Sequence, residues 1–237
     1  MSGLDEIIAT RLSGVRARIA AAADRSARDP ATVRLVAVSK TYGADHVAAA
    51  IAAGQRDFGE NKVQEGLQKI GRVADSTIRW HLIGHLQTNK AKKAAEGFDW
   101  IHAVDSVELL QKIDAAAAGA GRTPQLLIQV DLAGEATKHG AGAADVPAIV
   151  AAAGRCAAAE LVGLMLLPPA VDDPEAARPW FGRLRALRDE LVAAGAPARS
   201  LRELSMGMSH DFEVAVEEGA TIVRVGSAIF GARGSGD

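Results

Sequence analysis

From Pro30 onward, short runs of aliphatic and β-branched residues alternate with longer stretches whose apolar positions recur every three or four residues. The short runs are VRLVAVS (33–39), RDFGE (56–60), IRWHLIG (78–84), WIHAV (100–104), QLLIQVDL (125–132), LVGLMLL (161–167), SLRELSM (200–206) and TIVRVG (221–226). Between them, stretches such as ADHVAAAIAAG, NKVQEGLQKIGRV, SVELLQKIDAAAAG and PWFGRLRALRDELVAAG carry the helical period. Gly54, Gly119 and Gly195 fall where a helix would close on a left-handed residue. Ahead of Pro30, Leu4, Ile8, Leu12, Val15 and Ile19 recur on one helical face, with Ser2 and Asp5 placed as a capping pair. This predicts an additional N-terminal helix within residues 1–30.

Strands alternating with helices imply parallel βαβ units, and eight of them fit a (β/α)8 TIM barrel. A doubly wound open sheet uses the same alternation. The turn after the first strand, SKTYGADHV, has one glycine and lacks the G-x-G-x-x-G spacing of a dinucleotide fold. The expectation is an α/β protein in which residues 1–237 form a single barrel domain, with the 1–30 helix packed on it. Lys+Arg total 27 against Asp+Glu 29, a near balance that argues against a general nucleic-acid or membrane surface. No apolar run is long enough to span a bilayer, and the N-terminus lacks the uninterrupted apolar core of a signal peptide. One cysteine, Cys156, in the alanine-rich helical stretch AAAGRCAAAE, excludes an internal disulfide and reads as packing. A soluble cytoplasmic protein is the expectation.

Residues at the C-terminal ends of barrel strands face the functional mouth. Here those ends carry Ser39-Lys40, Glu60-Asn61, His85, Gln87, Asp105-Ser106, Asp131, Pro168-Pro169, Ser205 through Ser209 and Arg224 through Ser227. Helix caps account for Asn61, Ser106 and Ser209. The last two loops, LSMGMSHD (204–211) and VRVGSAIFG (223–231), pair glycines with serines, and a following helix start would add its positive end. Ordinary βα turns also use Gly and Ser. Two adjacent loops of matching chemistry favour a phosphate site. Arg224 lies inside an apolar run on the same face as Ile222 and Gly226, so it needs a partner: an acid such as Glu203 or Asp131, or a bound ring or anion. Lys40 ends a strand built for burial. Desolvation and a nearby guanidinium both favour its neutral amine, which can form a Schiff base with a carbonyl. The residues alone leave two options open, pyridoxal phosphate or an aldolase-like sugar phosphate.

The motifs AVSKTY around Lys40, FGENKVQE (58–65), WHLIGHLQTNK (80–90) and LSMGMSHDFEVAVEEGATIVRVGSAIFG (204–231) carry a resemblance across essentially the whole chain. Shorter echoes are IHAVDS, LIQVDLAGEATKHG and LVGLMLLPP. The sequence resembles the YggS/PROSC family, the pyridoxal-phosphate homeostasis proteins, which look like the barrel domain of alanine racemase without its second domain. The resemblance implies that Lys40 holds pyridoxal 5'-phosphate as an internal aldimine. It implies that the phosphate sits against Ser205, the loop containing Ser209, and the backbone of Gly226 and Ser227. Arg224 would face the pyridine nitrogen, and Asn61 would lie near the cofactor.

An arginine at that nitrogen gives up its proton poorly, so the ring stays largely unprotonated and works weakly as an electron sink. Racemisation needs a group on each face of the substrate carbon. Alanine racemase takes its second group, a tyrosine, from the domain missing here, and the only tyrosine in this chain is Tyr42, two residues from Lys40. The leading expectation is a non-catalytic carrier in intracellular pyridoxal-phosphate homeostasis and delivery, with pyridoxal-phosphate-dependent apoenzymes as recipients. It has no catalytic residues, nucleic-acid partner or membrane partner. An amino-acid racemase or related enzyme is the alternative, and a Schiff-base aldolase a third. His81 and His85, four apart, sit on a strand and its following loop without a third ligand at zinc spacing, so no metal is expected. His85 is the one placed for the mouth. His139 reads as a loop residue, and His46, His102 and His210 show no pattern. KAKKAAE (90–96), with Lys90, Lys92 and Lys93, reads as a solvated helix face.

Overall fold

The structure, a computed structural model, describes residues 3–134 and 139–231. Its strands are β1 (Arg34–Val38), β2 (Asp57–Glu60), β3 (Arg79–Leu82), β4 (Trp100–Val104), β5 (Gln125–Asp131), β6 (Ala141–Gly142), β7 (Glu160–Leu166), β8 (Glu203–Ser205) and β9 (Ile222–Val225). All pairings are parallel, and the order β4-β3-β2-β1-β9-β8-β7-β5 closes through β4–β5, with Trp100 opposite Gln125. The result is an eight-stranded TIM barrel, with the two-residue β6 laid beside the end of β5. Each predicted strand run coincides with one of these eight strands, β7 beginning one residue before its run.

The helices are α1 (Gly3–Arg25), α2 (Ala44–Ala52), α3 (Val63–Val73), α4 (Ala91–Gly97), α5 (Val107–Ala120), α6 (Val146–Ala153), α7 (Arg178–Ala193), α8 (Phe212–Glu217) and α9 (Ser227–Phe230). The N-terminal helix α1 buries Ile8, Leu12, Val15 and Ile19 against α2, α8 and α9. Each such side chain contributes roughly 1.5–3 kcal/mol relative to exposure. Ion pairs from Arg18 to Glu213 (2.6 Å) and from Arg25 to Glu217 (2.7 Å) tie its flank to α8. Of the predicted capping pair, Ser2 lies outside the described residues.

Gly54 and Gly195 have positive φ as their helix ends predict. Gly119 does not end its helix. α5 continues to Ala120, and Gly121 (φ 64) takes the left-handed position, returning its N–H to Ala117 and Ala118 carbonyls. Cys156 lies beyond the end of α6, between that helix and β7, so the stretch around it is not one helix. Its thiol is pushed up by burial. Lys92 and Lys93 are exposed on α4 while Ala91, Ala94 and Ala95 are buried, the solvated face read from the pattern. No helix among the described residues is long and apolar enough to cross a membrane.

Strand alternation divides the core in two. The larger cluster fills the space between barrel and helices, with Phe58, Trp80, Leu82 and Ile101 among its members. The smaller lies inside the barrel: Val36, Trp100, Leu127, Val162, Met165 and Ile222. Polar side chains share the interior with it: Asp57, His81, His102, Ser205 and Arg224, all buried and bonded to one another across strands. Placing them there is costly unless every polar atom finds a partner, and the pairing they adopt organises the site.

Candidate functional site

A cavity of about 640 Å³ opens at the C-terminal ends of the strands. Lys40, Asn61, Ser209, Arg224, Gly226 and Ser227 all line it, together with Tyr42, His85, Gln129, His139, Met208 and His210. The structure therefore brings six of the seven predicted site residues to one mouth. Ser205 is the exception and does not line the cavity. It is fully buried, and its Oγ lies 2.6 Å from Arg224 Nη1 and 2.9 Å from His102 Nδ1.

Local folding explains how each group arrives. β1 pairs with both β2 and β9, so the loop carrying Lys40 lies between those carrying Asn61 and Gly226. Asn61 is not a helix cap; Lys62 holds the position before α3, and Asn61 faces the cavity. Its approach to the β3 loop requires glycine, because a Cβ at Gly84 would stand 2.3 Å from the Asn61 carbonyl oxygen. Ser209 is not a cap either: Asp211 precedes α8, and its Oδ1 accepts from the Met208 N–H. Ser209 Oγ instead accepts from the N–H groups of Gly226 (3.1 Å) and Ala228 (3.4 Å). Donors of the last loop thus converge on an oxygen of the one before. α9 has only four residues, so these individual N–H groups, rather than a long helix dipole, supply the positive character. Gly207 makes the turn possible: at φ 91 it passes so near Phe212 and Ala215 that a Cβ would overlap both.

Arg224 settles the choice left open by its sequence. It donates to Ser205 Oγ and to the Leu166 carbonyl (2.8 Å) rather than to Glu203 or Asp131. Glu203 is engaged by Thr221, and Asp131 caps the N–H groups of Ala133 and Gly134. Burial lowers the Arg224 pKa to about 10, with the Asp211 charge opposing, so the guanidinium remains charged at neutral pH.

Sequence reasoning missed the assembly behind Lys40. Lys69 Nζ, nearly buried, donates to the Ser39 carbonyl (2.6 Å), to Glu60 Oε1 (2.8 Å) and to Glu65 Oε1 (3.0 Å). Glu60 also accepts from the Ser39 hydroxyl (2.6 Å), and Glu65 from the Thr41 N–H (2.8 Å). Both neighbours of Lys40 are therefore pinned by side chains of β2 and α3. Thr41 is held at φ 70, a conformation that is strained for a β-branched residue and persists only where its surroundings enforce it. Burial pushes the Glu60 carboxyl up, opposed by Lys69 and Ser39. Burial acts the same way on Glu65, but bonds from Thr41 and Lys69 outweigh it and hold that carboxyl low. A signal was available: Glu65 and Lys69 are four apart at the start of a helix that follows FGEN.

The imidazoles of His85 and His139 stack at 3.6 Å in the cavity wall, and burial lowers the His85 pKa, with its neighbour His139 adding to the effect. Among the described residues no cluster of three or more His, Cys, Asp or Glu could hold a metal. At the opposite face of the barrel, basins of about 680 and 630 Å³ are bordered by charged groups paired with one another, such as Arg79 with Asp57 (2.6 Å) and Arg122 with Asp99 (2.9 Å).

A parallel barrel with a lysine, an inward arginine and two glycine–serine loops at one mouth defines a class. The family described as "Alanine racemase, N-terminal domain" matches residues 10–234. Within that class, the chain belongs to the family of pyridoxal phosphate homeostasis proteins. It is 44% identical over 230 residues to the pyridoxal phosphate homeostasis protein of Pseudomonas aeruginosa, covering 97% of each chain. It is 40% identical over 232 residues to that of Escherichia coli K12, covering 95% of this chain and 97% of the relative. Among solved structures, PipY of Synechococcus elongatus with PLP bound superposes with a TM-score of 0.83 at 41% identity, covering 94% of this chain and all of that one. An alanine racemase of Clostridium difficile (17% identity, TM-score 0.74) shares the fold over 97% of this chain and 58% of its own.

Proposed function

We propose that this protein binds pyridoxal 5'-phosphate reversibly in the cavity through Lys40 and serves intracellular homeostasis of that cofactor rather than its chemistry. The observation that carries the reading is the convergence of Lys40, Asn61, Ser209, Arg224, Gly226 and Ser227 on one mouth. The donor set fits the molecule. N–H groups concentrated at Ser209 suit a phosphate. A guanidinium held by neutral partners suits a ring acceptor, and a lysine amine suits an aldehyde. Free pyridoxal phosphate supplies an aldehyde that reacts with amines generally. Lys40 Nζ takes that carbon reversibly as a Schiff base, forming a C=N bond and releasing water, and hydrolysis returns the aldehyde for delivery to recipient apoenzymes.

Two features support binding without robust turnover. Arg224 stays charged at neutral pH and acts as a donor, so the ring nitrogen keeps its lone pair and the cofactor is a weak electron sink. Tyr42 lines the cavity, but its hydroxyl donates to the Gly231 carbonyl at 2.8 Å, which commits it to the backbone. The test is the visible absorption of the protein after incubation with pyridoxal phosphate, wild type beside Lys40→Ala. A yellow wild type whose band disappears in the variant supports the reading, and a colourless wild type refutes it. Steady turnover of an amino acid by the loaded protein would replace the carrier by a racemase-like enzyme.

A further inference from the structure

The interior polar residues form one continuous chain. Arg224 Nη1 meets Ser205 Oγ at 2.6 Å, Ser205 Oγ meets His102 Nδ1 at 2.9 Å, His102 Nε2 meets His81 Nδ1 at 3.0 Å, and His81 Nε2 meets Asp57 Oδ1 at 3.0 Å. It crosses the barrel from the cavity to the far face through β9, β8, β4, β3 and β2. Donor counting gives it a direction. Asp57 accepts two bonds from Arg79 (2.7 and 2.6 Å) and one from Arg34 (3.3 Å), so it is an ionised acceptor and His81 Nε2 must carry a proton. A neutral His81 then accepts at Nδ1, and His102 Nε2–H donates to it. A neutral His102 accepts at Nδ1, and Ser205 O–H donates to it. The hydroxyl oxygen is left as acceptor for Arg224, whose guanidinium can only donate. Every bond points the same way, from the cation to the carboxylate.

Charges around the chain favour this order over its reverse. Burial is the main force keeping both imidazoles neutral. Arg34 on β1 adds to it for both, and Arg224 on β9 for His102, while Asp57 and Asp99 oppose it at His81. Burial also works against ionisation of Asp57, but the bonds from Arg79 and His81 outweigh it and hold that carboxyl well below the usual range. Bonds aligned in a low-dielectric interior polarise one another.

We propose that Ser205, His102 and His81 are positioning residues, which lock the Arg224 guanidinium as the donor presented to the ring nitrogen of a pyridine ligand in the cavity. The inference rests on the proposed function for its ligand and on the chain alone for its order. Ser205 acts through Arg224 here, where the sequence resemblance placed it against the phosphate.

Two measurements test it. In the unliganded full chain, ring ¹⁵N shifts, assigned by loss of signals in His81→Gln and His102→Gln, should show both imidazoles protonated at Nε2 only, unchanged between pH 8 and 6. An Nδ1 proton on His102, or an imidazolium at either site, overturns the order. In the second, Ser205→Ala should weaken pyridoxal 5'-phosphate binding about tenfold, with Ser205→Thr restoring it. The same variant should leave unchanged the affinity for the 1-deaza analogue, in which C–H replaces the ring nitrogen. Equal losses for both ligands, or none, would make Ser205 structural only. If the wild type binds neither ligand, the cofactor reading falls and takes the ring contact with it, while the tautomer measurement still decides the chain.

Discussion

Replacing Lys69 by methionine keeps the length and apolar stem of the side chain and removes only the ammonium. Glu60 is fully buried and Lys69 only 7% exposed. The variant therefore leaves a buried carboxylate without its cation and leaves the Ser39 carbonyl with only the Tyr42 N–H as donor. Removing one member of a buried pair costs about 3–5 kcal/mol, a large part of the 5–15 kcal/mol typical of whole domains. The loss should depend on pH with a definite sign. Burial already holds the Glu60 pKa above its unfolded value, so the folded state binds the extra proton, and stability falls as pH rises through that range. Without Lys69 the shift grows, so the penalty should be largest near pH 8 and shrink toward pH 5 as Glu60 takes up its proton. Urea unfolding of both proteins at the two pH values measures this. Adding Glu60→Gln should recover part of the loss, because a neutral amide needs no cation. Slack in Thr41 should also lower pyridoxal-phosphate affinity through Lys40, read from the same visible band. A Lys69→Met protein within about 1 kcal/mol of wild type at both pH values would refute the account of how Lys40 is held.

Acidification from pH 7 to 5 should destabilise the wild type, because His81 and His102 are buried neutral while their unfolded counterparts take up protons below about 6.5. If both stay neutral in the fold, linkage gives about 2 kcal/mol for each, partly offset by the raised pKa of Glu60. Urea midpoints that do not fall over this range would contradict buried neutral imidazoles. Gly84→Ala places a methyl 2.3 Å from the Asn61 carbonyl oxygen, so it should displace Asn61 and weaken cofactor binding at least tenfold, measured by titration of the visible band. Lys92→Ala with Lys93→Ala should leave that titration unchanged, since both side chains lie on the exposed face of α4.

The alternation of short apolar runs with helical ones specified parallel βαβ units, because side-chain period and element length are local properties of the chain. The count of eight, without a dinucleotide glycine turn, favoured a barrel over an open sheet. Strand ends then pointed to the mouth, and that placed Lys40, Asn61, Ser209, Arg224, Gly226 and Ser227 together. The caps were harder to read. Asn61 and Ser209 carry cap chemistry, but their oxygens and amides were claimed by the cavity and by a neighbouring loop, a contest that only packing resolves. The partner of Arg224 was open for the same reason. Glu203, Asp131 or a bound ring or anion were the partners the sequence offered, and the strand register supplied the Ser205 hydroxyl instead. Alternation assigned a face only to Arg224; that His81, His102 and Ser205 share the interior with it is a result of the folded barrel. The bond between His102 and Ser205 spans 103 residues of sequence. Barrel closure alone brings β4, β8 and β9 to one axis, where a buried polar atom must bond to whichever inward group stands across from it.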